Sequence, residues 1–322
     1  MKAGIALAGG TPVAAAVACA RLADELGYDS IWITESTARE AFSFLGAVAA
    51  ATKNIRVATG IINVFVRPPA LTAMGIATLD EISHGRAILG LGASNRDRVE
   101  SAFDLPYSNP LTKMREYVEA VRRILAGEKV KLVGESLRVD FQLGFAPSRS
   151  RIPIYVAALR DRMGGLAAEV GDGVLLYFRH VAALRDAVRT LSGKGRAGTV
   201  ASFLNLAMDR DGEAARSVAG RVVAQFARLT PYRRLMAQEG FGHEARMVEQ
   251  ALAEGRAQDV LQAVGENMPK ALAIAGTPEE CQSMIEQYRG TGIALPIFYL
   301  HPVGPDVHSS LEYMVRNLIN SF

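Results

Sequence analysis

The stretch IRVATGIINVFVRPPALTAMGIATLDEISHGRAILGLGASN, from Ile55 to Asn95, contains a complete strand–helix–strand pattern. It predicts two buried strands, Ile55–Ile62 and Arg86–Leu91, because each run is mostly apolar and is closed by glycine and polar residues. Between them it predicts a helix, Pro69–Ile82, that opens on a double proline, since proline is well tolerated in a first helical turn. A strand–helix–strand unit of this kind is the building block of a parallel α/β sheet.

The same alternation continues along most of the chain. The other predicted strands are Lys2–Ala8, Asp29–Glu35, Ile152–Ala157, Gly173–Tyr177, Val200–Met208 and Leu295–Leu300, and the other predicted helices are Pro12–Leu26, Arg39–Thr52, Leu111–Leu125, Asp161–Val170, Val181–Leu191 and Ser309–Ile319. The strands are nearly all apolar rather than alternating, which is typical of parallel strands covered on both faces.

Eight strands that alternate with helices predict an α/β fold of the (β/α)8 TIM barrel class. Two excursions interrupt the alternation: a β-hairpin around Gly134-Glu135-Ser136 and a strand-free helical insertion over about 211–270. We predict a single domain over residues 1–322. The alternative is a doubly wound open sheet, but no G-x-G-x-x-G follows the first strand, and GLGASN has Asn95 where the third glycine should stand.

Composition narrows the class of partner. The chain has 322 residues and a net charge of +3 that no run of lysine or arginine concentrates, so neither nucleic acid nor a membrane surface is expected as the main partner. Cys19 and Cys281 lie in helical patterns and are expected to be buried thiols, with no metal-ligand spacing. The start of the chain lacks the apolar length of a signal peptide, and no apolar run approaches a membrane span of about 18 residues, so we expect a soluble, cytoplasmic protein.

The carboxyl ends of barrel strands carry the active site in this fold class. Those ends hold Thr34, Glu35 and Ser36, then Gly60, Ile61, Ile62 and Asn63, then Gly92, Ala93, Ser94 and Asn95, then Ala157, Ala158 and Leu159, then Tyr177, Phe178, Arg179 and His180, and finally His301. The set has no facing pair of carboxylates, no metal-ligand spacing and no nucleophile elbow. Small residues, amides and one carboxylate favour a flat cofactor that carries its own chemistry.

Each candidate has a structural alternative. Glu35 could cap a helix or belong to an ion pair, and Asn63 and Asn95 are common turn residues. Arg179 and His180 could contact an anion, because phosphate sites recur at this end of the fold, or could begin a solvated loop.

Four segments resemble the luciferase-like monooxygenase superfamily. They are GYDSIWITES, ATGIINVFVRPPALTAMGIATLDEISHGRAILGLGASN, IPIYVAALRDRMGGLAAEVGDGV and ALAIAGTPEECQSMIEQYRGTGI. The likeness is closest to the branch that uses 8-hydroxy-5-deazaflavin, coenzyme F420, typified by methylenetetrahydromethanopterin reductase. It covers nearly the whole chain and implies a (β/α)8 barrel.

The resemblance also implies site roles. A non-prolyl cis peptide at Gly60–Ile61 would form a bulge that supports the deazaflavin ring from behind. Asn63 and Asn95 would reach the polar edge of the ring, and Glu35 would lie near its hydroxyl side.

The cofactor's side chain would be contacted elsewhere. Ala157, Ala158 and Leu159 would contact it through the backbone. Tyr177, Phe178 and Arg179 match the phosphate-binding turn, with Arg179 as the anion partner because the two aromatic residues depart from the usual small ones.

The implied activity is hydride transfer between the deazaflavin C5 and a small organic substrate, with Glu35, or else a residue of the helical insertion, as the catalytic residue for proton delivery. The alternatives are an FMN-dependent monooxygenase that uses molecular oxygen and a non-catalytic flavin-binding barrel. The first strand ends Ala6-Leu7-Ala8-Gly9-Gly10 where methanopterin reductases carry glutamates, which argues against methylenetetrahydromethanopterin as substrate. A homodimer through the apolar helix Ala41–Ala51 is also expected, although core packing explains the apolar face of that helix equally well.

Overall fold

The computed structural model describes residues 2–35, 37–193 and 195–321, so the predicted strand-end residue Ser36 lies outside the described residues. The chain divides into two compact units. One contains Ala6–Leu175 and Leu191–Thr199, and is called the N-terminal unit below; the other contains Met1–Ile5, Leu176–Thr190 and Val200–Phe322, and is called the C-terminal unit. The prediction of a single domain stays a prediction.

The strands are β1 (Gly4–Ala8), β2 (Ser30–Thr34), β3 (Arg56–Thr59), β4 (Ile62–Asn63), β5 (Ala87–Gly92), β6 (Val130–Val133), β7 (Arg138–Phe141), β8 (Ile154–Ala157), β9 (Gly173–Tyr177), β10 (Thr199–Met208), β11 (Ala273–Gly276) and β12 (Leu295–Leu300). The α-helices are α1 (Val13–Glu25), α2 (Ala41–Ala51), α3 (Pro69–Ile82), α4 (Arg96–Phe103), α5 (Pro110–Leu125), α6 (Asp161–Val170), α7 (Val181–Leu191), α8 (Gly212–Ala227), α9 (Thr230–Gln238), α10 (Gly242–Ala253), α11 (Val260–Ala263), α12 (Asn267–Leu272), α13 (Pro278–Arg289) and α14 (Val307–Leu318).

The fold is a (β/α)8 barrel, as predicted. Its eight strand positions are β1, β2, β3, β5, β8, β9, β10 and β12, and each predicted strand corresponds to one of them. Strands β2, β5, β9 and β12 are buried over nearly every residue. Continuous burial explains why the strand sequences do not alternate, since neither face of a barrel strand meets water.

Neighbouring strands of the N-terminal unit pair in parallel with a defined register. Ser30 of β2 pairs with Arg56 of β3, and Val57 of β3 pairs with Ala87 of β5. The predicted single strand Ile55–Ile62 is in fact interrupted at Gly60 and Ile61, after which β4 pairs with β5 through Ile62 and Leu91. The chain therefore bends at the carboxyl end of the third barrel strand.

Both predicted excursions are present. The hairpin β6–β7 is antiparallel, and the Glu116 carboxylate of α5 accepts hydrogen bonds from the backbone N–H groups of Glu135, Ser136 and Leu137 at 2.7–3.1 Å. Helices α8 to α12 occupy the predicted helical insertion. Strand β11, which directly follows the insertion, and helix α4 were not predicted. Strand β11 pairs with β10 through Ala273 and Asn205.

Both cysteines and the single tryptophan of the chain are buried. Cys19 and Cys281 are free, buried thiols whose pKa is raised by burial to about 12, which confirms the structural interpretation. Trp32 is fully buried, and its ring lies edge-on to Tyr155 at 5.5 Å. Among the described residues no helix is long and apolar enough to cross a bilayer.

Candidate active site

The bend after β3 places the Ile61 side chain against Gly90 and Gly92 of β5, two positions that have no side chain to obstruct it. A Cβ on Gly92 would lie 2.3 Å from Cδ1 of Ile61, and a Cβ on Gly90 would lie 2.1 Å from the carbonyl oxygen of Thr59. Both separations are shorter than real contacts allow, so the GLG of β5 is required for close packing. Ile61 itself is partly exposed and gives this end of the barrel an apolar surface.

The predicted cis peptide at Gly60–Ile61 is wrong, because the described residues contain no cis peptide bond. The bend is made with trans geometry. The Gly60 N–H donates to the carbonyl oxygen of Ile33 at 2.7 Å, and β4 resumes pairing with β5 two residues later. A trans bond avoids the cost of about 3–4 kcal/mol that a non-prolyl cis bond carries. The predicted bulge therefore exists without the predicted isomer.

The two predicted asparagines are both oriented by backbone N–H groups. Asn63 Oδ1 accepts from Phe65 N at 3.0 Å, and Asn95 Oδ1 accepts from Arg98 N at 2.9 Å as the N-cap of α4. The oxygen atoms therefore serve a local turn at Asn63 and a helix cap at Asn95, and the cap at Asn95 was not predicted. Both residues are buried, and within the described residues no hydrogen-bond partner faces either Nδ2. Each amide therefore retains an NH₂ group for donation to a ligand.

Glu35 serves the start of α2. Its Oε2 accepts from the backbone N–H of Ala41 at 2.9 Å, which confirms the helix-cap interpretation. Burial raises the pKa of Glu35, and the Ala41 N–H and the nearby Arg67 oppose the shift. A carboxyl with a raised pKa is better suited to exchanging a proton near neutral pH than an ordinary one.

A group of charged residues around Glu35 was not predicted. Glu40 is the N-cap of α2 and forms an ion pair with Arg67 at 2.7 Å. Arg39 Nη1 lies 3.2 Å from the carbonyl oxygens of each of Gly9, Gly10 and Thr11. Arg39 therefore anchors the segment after β1 through the backbone carbonyl groups of that segment. These contacts join residues about 30 positions apart, so no local pattern indicates them.

The segment after β8 presents mainly backbone. Ala157 and Leu159 are partly exposed and Ala158 is buried, and the Ala158 N–H donates to the carbonyl oxygen of Leu175 at 2.9 Å. Two methyl side chains and a partly exposed backbone allow a ligand to approach closely, which fits the predicted backbone contact.

Tyr177 and Phe178 lie in an aromatic cluster of the C-terminal unit. The cluster consists of Tyr177, Phe178, Phe203, Phe226, Tyr232 and Tyr299, with centroids of its nearest rings 4.4–5.3 Å apart. Both predicted residues are buried, so any contact they make with a ligand uses the backbone. Phe178 has φ 56°, a left-handed conformation that is uncommon for a bulky residue and that defines a tight turn. The Tyr232 ring, from α9, packs against Tyr177, Phe178 and Phe226.

Arg179 is engaged by a buried carboxylate. Its Nη1 forms an ion pair with Oε1 of Glu239, whose side chain is 2% exposed at the end of α9. His180 Nε2 lies 3.4 Å from Oε2 of the same carboxylate. The partner comes from the helical insertion, 60 residues along the chain, and was not predicted.

Asn205 is a further residue that the sequence analysis missed. It lies within the apolar strand β10, is 2% exposed, and joins Tyr177 and His301 through its Oδ1 atom at 2.8 and 3.0 Å. A polar residue in the middle of a buried strand was the available signal. Among the described residues, no three histidine, cysteine or carboxylate side chains are placed to hold a metal ion.

These features define a (β/α)8 barrel whose strand ends offer backbone, amides and an apolar surface instead of a nucleophile or a metal cluster. The model of the luciferase-like monooxygenase family matches residues 2–295. The chain is 31% identical to a 5,10-methylenetetrahydromethanopterin reductase of Archaeoglobus fulgidus, over 93% of either chain. It is 32% identical to the enzyme of that name from Methanolobus tindarius, over 99% of this chain and 100% of the relative.

A solved structure is similar over its whole length. The coenzyme F420-dependent tetrahydromethanopterin reductase of Methanopyrus kandleri superimposes with a TM-score of 0.86 at 25% identity, over 100% of this chain and 99% of that one. The chain belongs to the luciferase-like monooxygenase family.

Proposed function

We propose that this protein is an F420-dependent oxidoreductase that exchanges a hydride with a small organic substrate. The similarity to F420-dependent tetrahydromethanopterin reductase over the full chain carries the proposal. The two relatives named as methylenetetrahydromethanopterin reductases support it over more than nine-tenths of the chain. The expected alternative, an FMN-dependent monooxygenase, is favoured by the general name of the family.

The residues of the N-terminal unit fit a flat heteroaromatic ring. Ile61, seated on Gly90 and Gly92, would support one face of the ring. The NH₂ groups of Asn63 and Asn95 would donate to ring carbonyl groups, because their oxygens are already engaged by the backbone. Ala157, Ala158 and Leu159 would contact the cofactor's side chain. When bound, the deazaflavin would supply the hydride carrier at C5.

Glu35 would hold the proton that the reaction consumes or releases. Its raised pKa keeps part of the carboxyl protonated closer to neutral pH than usual. The hydrogen bond from Ala41 fixes one of its oxygens and leaves the other for exchange.

The turn Tyr177–Arg179 would contact the phosphate of the cofactor through its backbone. The left-handed conformation at Phe178 shapes this turn. The charge of Arg179 is largely balanced by Glu239, so the guanidinium would contribute less to anion binding than an unpaired arginine.

The segment after β1 bears on the substrate. The last three residues of β1 and the two that follow, Ala6-Leu7-Ala8-Gly9-Gly10, include no carboxylate, and Arg39 holds the Gly9 and Gly10 carbonyl groups. We therefore propose a small organic substrate other than methylenetetrahydromethanopterin. Because the relatives carry that name, this pterin is the reference compound in any substrate assay.

Equilibrium titration of the purified protein with F420 and with FMN, each oxidised and reduced, tests the proposal. We expect F420 to bind at micromolar concentration or tighter and FMN to bind at least about tenfold more weakly, a difference of about 1.4 kcal/mol. The reverse preference would make the protein a flavin enzyme and oxygen its next reagent. Binding of neither would contradict both functions and favour a barrel without cofactor chemistry.

A homodimer remains a prediction. Leu71, Met74 and Ile82 are exposed on α3, at 46%, 43% and 42%, and α3 packs against the apolar helix α2. Exposed apolar side chains on one helix are suited to a second copy of the chain. Sedimentation equilibrium should give about twice the monomer mass, and a monomer at all concentrations would contradict it.

A further inference from the structure

The imidazole of His301 is held in one orientation by a chain of hydrogen bonds that begins at a backbone carbonyl. Asn205 Nδ2 lies 3.3 Å from the carbonyl oxygen of Leu272. A carbonyl oxygen only accepts, so this contact identifies the Asn205 atom that faces Leu272 as the donor NH₂. The Oδ1 atom must then face the other way.

Asn205 Oδ1 contacts two groups there. The Tyr177 hydroxyl donates to it at 2.8 Å, and His301 Nε2 lies 3.0 Å away. Because Oδ1 only accepts, Nε2 must carry a hydrogen. In the neutral imidazole the other nitrogen, Nδ1, then has no hydrogen and is an acceptor.

The Nδ1 atom is available to a ligand. In the described part of the chain no hydrogen-bond partner of Nδ1 is present, and Nδ1 is not one of the four buried side-chain atoms there that lack a partner. It therefore keeps accessible surface on a partly exposed imidazole. Loss of hydration lowers the pKa of His301 to about 4, so Nδ1 stays unprotonated at neutral pH.

The position of His301 relates this acceptor to the reaction. His301 directly follows β12, at the carboxyl end of a barrel strand, where active-site residues of this fold lie. Its ring lies 4.7 Å from that of Tyr299 in the aromatic cluster. We propose that His301 Nδ1 accepts a hydrogen bond from a hydroxyl or N–H group of the substrate, and that Asn205 and Tyr177 are positioning residues that fix its tautomer.

This inference rests on the proposed function and deepens it by naming the substrate class. The substrate carries a hydrogen-bond donor, and analogues in which that donor is replaced by a methyl group are rejected. Rejection of this kind is strong, because a site built to pair a polar group is left with an unpaired acceptor.

The first arm of the test concerns the tautomer. Nitrogen NMR of the full chain labelled at its five histidines should show the His301 signal as the Nε2–H form at pH 7. A His301→Gln variant assigns the signal by its loss. An Nδ1–H form or an imidazolium at this pH would overturn the proposal without any reference to F420 or to activity.

The second arm concerns recognition. The probes are cyclohexanol against methoxycyclohexane for a hydroxyl, and N-methylacetamide against N,N-dimethylacetamide for an N–H. We expect the His301 Nδ1 signal of the full chain, with and without F420, to move with at least one donor-bearing probe at a concentration about tenfold lower than with its methylated partner. Equal response to both members of each pair would overturn the proposal.

Two variants separate recognition from folding. In His301→Gln the amide NH₂ can still donate to Asn205, but the Nδ1 acceptor is lost, so the preference for the donor-bearing probe, followed in all variants through the side-chain NH₂ signal of Asn205, should disappear while F420 affinity changes less than about twofold. His308→Gln makes the same change at an exposed histidine of α14 and should keep the preference. Loss of F420 binding in the unmodified protein would refute the proposed cofactor and leave the tautomer and probe results to be judged by themselves.

Discussion

The guanidinium of Arg179, in the turn after β9, forms an ion pair with the almost fully buried carboxylate of Glu239 at the end of α9. This pair connects the helical insertion to a strand end of the same unit.

Removing one partner of a buried pair leaves the other charge without compensation, and we expect Glu239→Leu to lower the free energy of unfolding by about 3 kcal/mol. Urea denaturation measures this. The double variant Arg179→Met/Glu239→Leu should recover much of the loss, and full additivity of the two changes would contradict the pairing.

The ion pair with Glu239 also reduces the positive charge that Arg179 can offer to a cofactor phosphate. In Glu239→Gln the hydrogen bond to Arg179 can persist, but the negative charge is removed. If Arg179 contributes to anion binding, F420 should bind a few-fold more tightly to this variant at low salt, and the gain should shrink as salt is raised. An unchanged affinity at every salt concentration would assign Arg179 to structure alone.

The packing of Ile61 on β5 gives a second prediction. A methyl group at Gly92 meets Cδ1, Cγ1 and Cβ of the Ile61 side chain, the nearest at 2.3 Å, so Gly92→Ala should cost less stability than Gly90→Ala but displace Ile61 and weaken F420 binding by at least about tenfold. Gly90→Ala meets the Thr59 backbone and should cost about 1–3 kcal/mol of unfolding free energy. Gly46→Ala on α2, where the new methyl meets nothing within 4 Å, is the control and should be stabilising. Calorimetry and F420 titration distinguish the three, and unchanged F420 affinity in Gly92→Ala would exclude Ile61 as a support for the ring.

The asparagine amides can be tested without disturbing their caps. Asp has the same two acceptor positions, so Asn63→Asp and Asn95→Asp should keep the hydrogen bonds from Phe65 and Arg98, while the buried charge should cost about 1–3 kcal/mol of unfolding free energy. Each change replaces the NH₂ donor by an oxygen, so F420 affinity should fall by tenfold or more. Retained affinity in both variants would show that the amides serve only the backbone.

Glu35 has a structural role and a proposed chemical role that one substitution separates. Glu35→Gln can still accept the Ala41 N–H through its amide oxygen but cannot exchange a proton. We expect F420 affinity and thermal stability to stay near those of the unmodified protein, while turnover with an accepted substrate falls by at least about a hundredfold. Turnover within a few-fold of the unmodified enzyme would remove Glu35 from the chemistry and leave it as a helix cap.

His301 should make folding stability depend on pH. Its pKa in the folded protein is lowered from 6.5 to about 4 by desolvation, so between these values the unfolded chain binds more protons than the folded one. The free energy of unfolding therefore falls as the pH is lowered through this window, and the contribution of neutral His301 is fully present above it. Urea midpoints from pH 4 to pH 7 should fall less steeply for His301→Gln than for the unmodified chain. Parallel curves would contradict the shift.

The barrel was predictable because its signals are local. Apolar strands, helix starts at Pro12 and Pro69, and glycines after helices can be read from a few neighbouring residues, and their order fixes the fold class. Local sequence patterns did not predict the bend at Gly60–Ile61 or strand β11, because both depend on pairing with a strand far away in the chain. The cis peptide inferred there was wrong because the bend was already supplied by trans geometry and renewed pairing.

At the site, local sequence patterns were sufficient to assign residues to the strand ends, since each apolar run is closed by glycine and polar residues. The contacts of those side chains became known from the folded structure. It joined Arg179 to Glu239 across 60 residues and His301 to Asn205 across 96, and it used the oxygens of Asn63 and Asn95 for the backbone while leaving their NH₂ groups. Hydrogen bonds and ion pairs act over a few ångströms in space, so partners far apart in the chain leave no periodic trace in its sequence.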